Sequence, residues 1–388
     1  MSSIALSNNL WSTAVGTSNQ AFTNRGGSGG SVVAYPLFRN KIINPDLAID
    51  QRNVGQAQLI GTDGTFYGPD RLIASINTGA SGFQYNLQQQ ILTNADVTTT
   101  GGIHNSCRMT TNSNVTFSAT TKNVGFAHVI EGNFIPDLYW GNASGTSASF
   151  SMWIKTNVTG THHVSFQNSA CNTSYVKTFS VSSANSWTKV SATIPSPSNG
   201  TWLTDSNAGV IIKIDDMCDN LKTASTGAWL SGNYSCPTAY NSNLWQVANN
   251  YLEITGLQFE KGTTNTPFEF RPPAFELALC QRYFEKSFNA SSLPQNNTMG
   301  VAPGSVVYLQ GQYGTGEIYF KQTKRSIPSL TFYNPWNSNG VAFNTDTSYT
   351  STTLTAQSPN GNGFSVSSSD TSLQNGPATF NWTASAEF

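Results

Sequence analysis

Trp187-Thr188-Lys189-Val190-Ser191-Ala192-Thr193-Ile194 alternates between two kinds of side chain. Trp187, Lys189, Ser191 and Thr193 share one side, and Thr188, Val190, Ala192 and Ile194 share the other. This is the period-2 pattern of a strand with one buried face. The same reading extends outward to Ser149–Lys155, His162–Gln167, Tyr175–Val181, Gly209–Asp215 and Tyr251–Glu260. Short strands at this spacing with no helices between them predict an all-β chain, an antiparallel β-sandwich or jelly roll.

Composition supports that reading. Charged residues make up 10% of the 388 residues, far below the roughly 25% of an ordinary globular chain, while hydrophobic residues reach 38% and aromatics 12%. Ser, Thr, Asn and Gly take the place of charge. They suit solvated sheet faces and compete with the backbone in helices. The formal net charge is -1, with no basic patch or tail, so no nucleic-acid partner is expected. No apolar run of about 20 residues predicts membrane insertion. The N-terminus lacks the basic patch and apolar core of a signal peptide, so a secretory route is not expected. The five cysteines (Cys107, Cys171, Cys218, Cys236 and Cys280) match no zinc or redox spacing and read as reduced thiols. Cys218 and Cys236 could pair across a loop, though nothing in the sequence demands it.

The text divides into four parts. Residues 1–37 read as a flexible N-terminal arm containing Gly26-Gly-Ser-Gly-Gly-Ser31, a free tail or a segment ordered on a neighbouring subunit. Residues 38–273 form the jelly roll. Residues 274–299 hold a helix over Ala274–Lys286, introduced by Pro272-Pro273, and an Asn- and Ser-rich linker. Residues 300–388 read as a second, smaller β-sandwich domain. Between Asp216 and Asn250 the alternation lapses into a long segment rich in Gly, Ser, Asn and aromatics, a length that marks functional or mobile loops.

Catalytic constellations are thin. His162 and His163 are adjacent on a strand and point to opposite faces, so they share no metal easily. Asp215, Asp216 and Asp219 cluster near a strand end. They read as a solvated turn, and a carboxylate pair able to hydrolyse a glycosidic bond is the alternative. No phosphate-cradling loop or nucleophile elbow is present. No catalytic residue, metal ligand or cofactor is therefore assigned, and the chain is not expected to be an enzyme. Sugar contact would rest on aromatics in polar, loop-like text: Trp140, Trp229, Tyr234, Tyr240 and Trp245. Subunit contact and local packing are the competing readings for each. Trp153 and Trp187 lie in strands and are expected in the core. Arg52, Asp70 and Arg71 are expected to form a structural ion pair tying down the first loop. Arg282 and Tyr283, on the helix, are expected to fix the angle between domains. Phe284 and Phe288 beside an exposed helix suggest an oligomer contact.

Three ordered stretches resemble a family of phage fibre and tail-associated structural proteins. They are Asn44-Pro-Asp-Leu-Ala-Ile-Asp-Gln-Arg-Asn53 with Tyr67-Gly-Pro-Asp-Arg71; Leu252-Glu-Ile-Thr-Gly-Leu-Gln-Phe-Glu-Lys-Gly262 with Thr266-Pro-Phe-Glu269, Glu276 and Gln281-Arg-Tyr-Phe284; and Phe320-Lys-Gln-Thr-Lys-Arg-Ser-Ile-Pro328 with Thr383-Ala-Ser-Ala-Glu-Phe388. Leu72 stands where the family usually has an aromatic. The first domain also resembles carbohydrate-binding-module jelly rolls of the galactose-binding type, through Ser149–Lys155, Trp187–Ile194 and Leu252–Glu260. The resemblance implies a tail- or head-fibre subunit of the virion, assembled in the host cytoplasm, with host surface polysaccharide as a suggested partner. It implies a homo-oligomer, expected to be a trimer, and a virion partner for the arm. It also implies a structural calcium near Asp46 and Glu260. A capsid or tail decoration or adaptor protein without glycan binding is the alternative, and a glycan depolymerase the third reading.

Overall fold

In the computed structural model, residues 38–117, 123–218, 220–241, 243–298 and 305–388 are described. The expected arm and Asp219 lie outside them. Strands dominate. The first lobe is built from β1 (Gln58–Ile60), β2 (Gly64–Tyr67), β3 (Ile73–Asn77), β4 (Tyr85–Ile91), β5 (Asn105–Thr111) and β6 (Asn123–Glu131). There follow β7 (Ala148–Thr156), β8 (Gly160–Gln167), β9 (Thr173–Val181), β10 (Thr188–Ile194) and β11 (Ala208–Cys218). After the short β12 (Thr223–Ala224), β13 (Trp229–Ser231) and β14 (Cys236–Pro237) comes the closing strand β15 (Tyr251–Lys261). They form a six-stranded sheet, β1-β4-β5-β15-β7-β10, and a seven-stranded sheet, β13-β9-β8-β11-β6-β3-β2. Between β4 and β5 lies helix α1 (Asn94–Thr100). Thr93 Oγ1 caps it by accepting the Asp96 N–H, and Gly101 ends it in the left-handed region at φ 78°.

The decisive strand behaves as its alternation requires. In β10, Val190, Ala192 and Ile194 are buried, and Lys189, Ser191 and Thr193 face solvent. The inner faces of the two sheets meet in one core containing Phe126, Phe150, Phe166 and Phe259. Phe166 stacks on Phe259 with centroids 5.8 Å apart. Each such side chain contributes roughly 1.5–3 kcal/mol by leaving water.

After Pro272, helix α2 covers Pro273–Gln281 only. The expected extension to Lys286 is corrected: Phe284–Lys286 is β16, drawn out of the helical period by pairing with β25 (Pro377–Ser385), Phe284 opposite Ser385. The second lobe contains β17 (Ser305–Gln310), β18 (Tyr313–Gly314), β19 (Ile318–Tyr319), β20 (Ser329–Tyr333), β21 (Ala342–Asn344), β22 (Tyr349–Ser351), β23 (Thr355–Gln357), β24 (Gly363–Ser367) and β25. Together with β16 they build a ten-stranded sheet around a separate core of Leu309, Phe364, Val366, Phe380 and Trp382. Phe284 and Phe288 are buried within the chain, so neither offers the expected oligomer contact. Among the described residues, no helix is long and apolar enough to cross a membrane.

Candidate carbohydrate-binding face and the interdomain joint

Residues from each of the three ordered stretches, Arg52 and Arg71, Arg282 and Tyr283, and Arg325 and Glu387, meet at one place, the seam between the lobes. Arg282 Nη2 lies 2.6 Å from Glu131 Oε1 and its Nε lies 2.9 Å from Oε2, a bidentate bridge to the end of β6. The Tyr283 hydroxyl donates to the same carboxylate. Burial opposes ionisation of Glu131, yet the Arg282 and Tyr283 hydrogen bonds hold its carboxyl below the ordinary glutamate range. The Arg71 guanidinium lies 3.7 Å above the Tyr283 ring, donates to Val129 O and pairs with Glu387. Arg52 reaches Glu387 at 3.2 Å and sits 3.8 Å over the Phe284 ring. Arg325 donates to the carbonyls of Ser206, Ala386 and Glu387. Asp70 accepts the Gln51 N–H at 3.0 Å and lies 3.9 Å from Arg52. Its complete burial pushes its carboxyl up to about 6. Arg52, Asp70 and Arg71 thus lie together at the first loop, and both arginines pair with Glu387. Desolvated charges are tolerated here because nearly every one faces an opposite charge or carbonyl. Beside the seam lies a cavity of about 450 Å³ lined by Asp50, Gln51, Gln281, Lys286 and Phe288, among others. Burial lowers Lys286 to about 8, and its Nζ donates to Ala290 O and Ser292 O.

The five sequence-predicted sugar aromatics do not form one open platform. Trp245 is fully buried: it packs edge-on against Tyr85 and Phe126 and donates from Nε1 to Asp215 O. Trp140 is also buried, in a cluster with Trp202, Trp229 and Phe259 at 4.8–5.7 Å. Trp229 is half-buried on an edge strand and donates to Pro195 O. Tyr240 packs on His163 and donates to Cys218 O, and the Tyr234 backbone bonds to Ser174 and Gln167. For Trp140 and Trp245, local packing replaces the sugar-contact reading.

The segment carrying Tyr234 and Tyr240 is a flap across the outer face of the seven-stranded sheet. Gln167 Nε2 donates to Asn233 Oδ1 and Tyr234 O, and Ser174 Oγ donates to Gly232 O. A disulfide between Cys218 and Cys236 staples it, which corrects the reduced-thiol expectation for this pair. Cys107, Cys171 and Cys280 are free.

Asp215 and Asp216 are likewise not a solvated turn. Both are buried in β11, where the register with β6 slips between Ile214 and Met217 and Asp215 takes φ 44°. Gly125 faces this bulge so closely that a Cβ there would lie 2.7 Å from Asp216 Cα. Asp215 Oδ2 meets His162 Nδ1 at 2.7 Å, and Oδ1 accepts the His163 N–H. Burial alone would lower the His162 pKa, but Asp215 outweighs it and raises it. The carboxylate thus has a structural partner inside the sandwich.

A half-buried polar row lies instead on the outer face of the six-stranded sheet. Cross-strand register sets Gln88 opposite Arg108, Arg108 opposite Glu253, and Glu253 opposite Lys155. The four side chains form one row across four strands. Glu253 Oε2 accepts from Arg108 Nε and Nη2 at 2.9 and 2.5 Å, and Oε1 accepts from Ser106. The Arg108 guanidinium lies 4.3 Å over the half-buried Tyr251 ring, whose hydroxyl donates to Asn185. Lys155 Nζ reaches Asp96 of α1 at 3.3 Å. Trp153 pairs with Thr255 on this outer face, and Trp187 lies against Lys155. Trp153 is only half-buried and lies outside the central core, contrary to expectation, whereas Trp187 is buried. The surface combines a fixed ring, a planar ion pair and amides, chemistry suited to a pyranose face and its hydroxyls. Sequence reading missed these residues because it scored strands by their buried positions. The intervening Tyr251 and Glu253, polar partners of Leu252 and Ile254, were the available signal.

The residues do not fit the expected calcium. Glu260 Oε1 accepts from Gln258 Nε2 and the Thr266 N–H, and Oε2 from Thr266 Oγ1. Those donors present hydrogens where a cation would need free oxygens. Among the described residues, no group of three or more His, Cys, Asp or Glu could hold a metal ion.

No family model and no curated protein matches the sequence. Among solved structures, the chain is similar to the enzymatically active domain of tailspike protein 4 of bacteriophage CBA120, at 10% identity and a TM-score of 0.29, over 57% of this chain and 21% of that one. It is similar to a family 11 carbohydrate-binding module of a cellulosomal cellulase of Clostridium thermocellum, at 12% identity and a TM-score of 0.24, over 53% of this chain and 98% of that one. It is also similar to a xylan-binding domain from Paenibacillus barcinonensis, at 6% identity and a TM-score of 0.20, over 56% and 99%. The chain spans about a fifth of the tailspike domain. At these values no residue role carries over from these proteins to this chain.

Proposed function

We propose that this chain is a non-enzymatic structural subunit of a bacteriophage particle whose jelly roll contacts host-surface glycan through the Tyr251 face. The observation that carries the glycan reading is the row Gln88–Arg108–Glu253–Lys155 beside a ring held in place by Arg108 and Asn185. The phage reading rests on the ordered motifs, which meet at a seam of ion pairs suited to a subunit that must stay rigid under load. In this proposal the subunit is a homotrimer assembled in the host cytoplasm, residues 1–37 dock on other virion proteins, and neither nucleic acid nor membrane insertion is involved. Pairing of Asp215 with His162 in the sandwich interior counts against the depolymerase reading.

The test is binding of the full chain to immobilised host polysaccharide. Tyr251→Ala should weaken it at least tenfold, equivalent to about 1.4 kcal/mol. Unchanged binding removes this face from the reading. Silence of the wild type, with normal attachment of particles, would instead support an adaptor without glycan binding.

A further inference from the structure

The second lobe carries an exposed sheet face of different chemistry. In β17, Val307 and Leu309 enter the core, so Val306, Tyr308 and Gln310 point outward. Gln310 pairs with Tyr313 of β18, which pairs with Ser367 of β24. Tyr319 of β19 pairs with Gly363, on the same side of β24 as Ser365 and Ser367. In the other direction Val306 pairs with Thr379 of β25, and Thr379 with Phe343 of β21. One face therefore presents Tyr319, Tyr313, Tyr308 and Val306 from β19, β18 and β17, with Phe343 of β21 buried beneath Trp336. Tyr308, Tyr313 and Tyr319 are 53%, 58% and 69% exposed.

Two further properties narrow what such a face fits. The first is charge. None of strands β17 to β25 contains a charged residue, and no Lys or Arg occurs between Ser326 and Phe388. These strands bring no cation to hold an acidic polymer, and Glu317 hydrogen-bonds the Tyr319 hydroxyl. The second is preparation. The Tyr308 hydroxyl donates to Asn375 O, which fixes a ring that solvent still reaches. Trp336 stacks on Phe343 with centroids 5.3 Å apart and planes 18° from parallel, and remains 39% exposed. Rings already held in place lose little freedom on binding. Between them Thr379 Oγ1 is buried without a hydrogen-bond partner among the described residues.

We infer that this face of the second lobe is a separate binding platform for a neutral saccharide chain. The tyrosine and tryptophan rings stack on the apolar faces of successive sugars, while Gln310 and Ser365 bond their hydroxyls. It does not depend on the Tyr251 face.

The test titrates the full-length chain with neutral gluco-, galacto- and manno-oligosaccharides, with oligogalacturonate as the charged control, following tryptophan fluorescence. It is run in the wild-type and Tyr251→Ala backgrounds. At least one neutral oligosaccharide should bind in both, oligogalacturonate should not, and Tyr313→Ala combined with Tyr319→Ala should lose at least tenfold in both. Tyr313→Trp should retain binding. Both positions are exposed, so an unchanged thermal unfolding midpoint verifies the fold. The inference is overturned if the Tyr251→Ala protein binds no neutral oligosaccharide, or if the double variant binds as before. It is also overturned if the double variant dissociates an oligomer in sedimentation without changing sugar affinity, which would make the face a contact between copies.

Discussion

Replacing Glu131 by Ala should uncouple the two lobes. Its carboxylate accepts from Arg282 twice, from Asn133 and from the Tyr283 hydroxyl. Removal leaves the Tyr283 hydroxyl buried without its acceptor, a cost of about 1–3 kcal/mol. Arg282 is 27% exposed and regains water, so its share is discounted to about 1 kcal/mol. The expected loss is about 3 kcal/mol, at the lower edge for breaking a buried pair. Acidity adds a sign. The carboxyl titrates below its ordinary value of 4.5, so its contribution is complete above that value and disappears as pH falls through the folded-state pKa. Urea unfolding of wild type and Glu131→Ala at neutral pH and in acid measures both. The variant should also show separate transitions for the lobes. A loss below about 1 kcal/mol at neutral pH, or a gap that widens in acid, would refute the assignment of the seam to this carboxylate.

Asp70 makes the opposite prediction: its carboxyl rises from 3.8 to about 6 through burial, so the folded state holds the proton longer than the unfolded chain. Wild type should therefore lose up to about 3 kcal/mol relative to Asp70→Asn as pH rises between those values, read from paired denaturation curves. Trp245→Ala should destabilise by about 3–5 kcal/mol while the folded fraction keeps its glycan affinity, read by calorimetry and a pull-down. Cys218→Ser should cost about 3 kcal/mol for a separation of 18 residues and make the flap the first site of proteolysis.

Strand positions were legible wherever one face is buried, as in β10, because alternation records burial directly. The end of α2 was not, because Tyr283 continues a helical spacing while the pull of β25 on Phe284–Lys286 is set about a hundred residues away. Helix α1 was not read, although Thr93 caps its start and Gly101 ends it. Asp215 and Asp216 resemble turn residues in the text. Their burial follows from the bulge in β11 and from its register with β8, which brings His162 alongside. Trp245 sits in loop-like text, yet the return of its segment to Asp215 carries the indole inside. The Tyr251 face was hidden for the same reason in reverse: the alternation of Tyr251 and Glu253 with Leu252 and Ile254 marks an outer face, but the pairing across four strands that builds the row has no signature in any one of them.

The Glu387 contacts impose an order on synthesis. Arg52 and Arg71 emerge more than three hundred residues before the carboxylate that neutralises them. During translation the first lobe can assemble its sheets while its two guanidinium groups still face an empty socket. That socket fills only when β25 has paired with β16 and delivered Glu387 across the seam. A chain cut before Glu387 should therefore expose a cationic, aromatic-lined notch to chaperones and proteases, which the Glu387 carboxylate closes. Closure of the seam is thereby converted into a surface property of the first lobe.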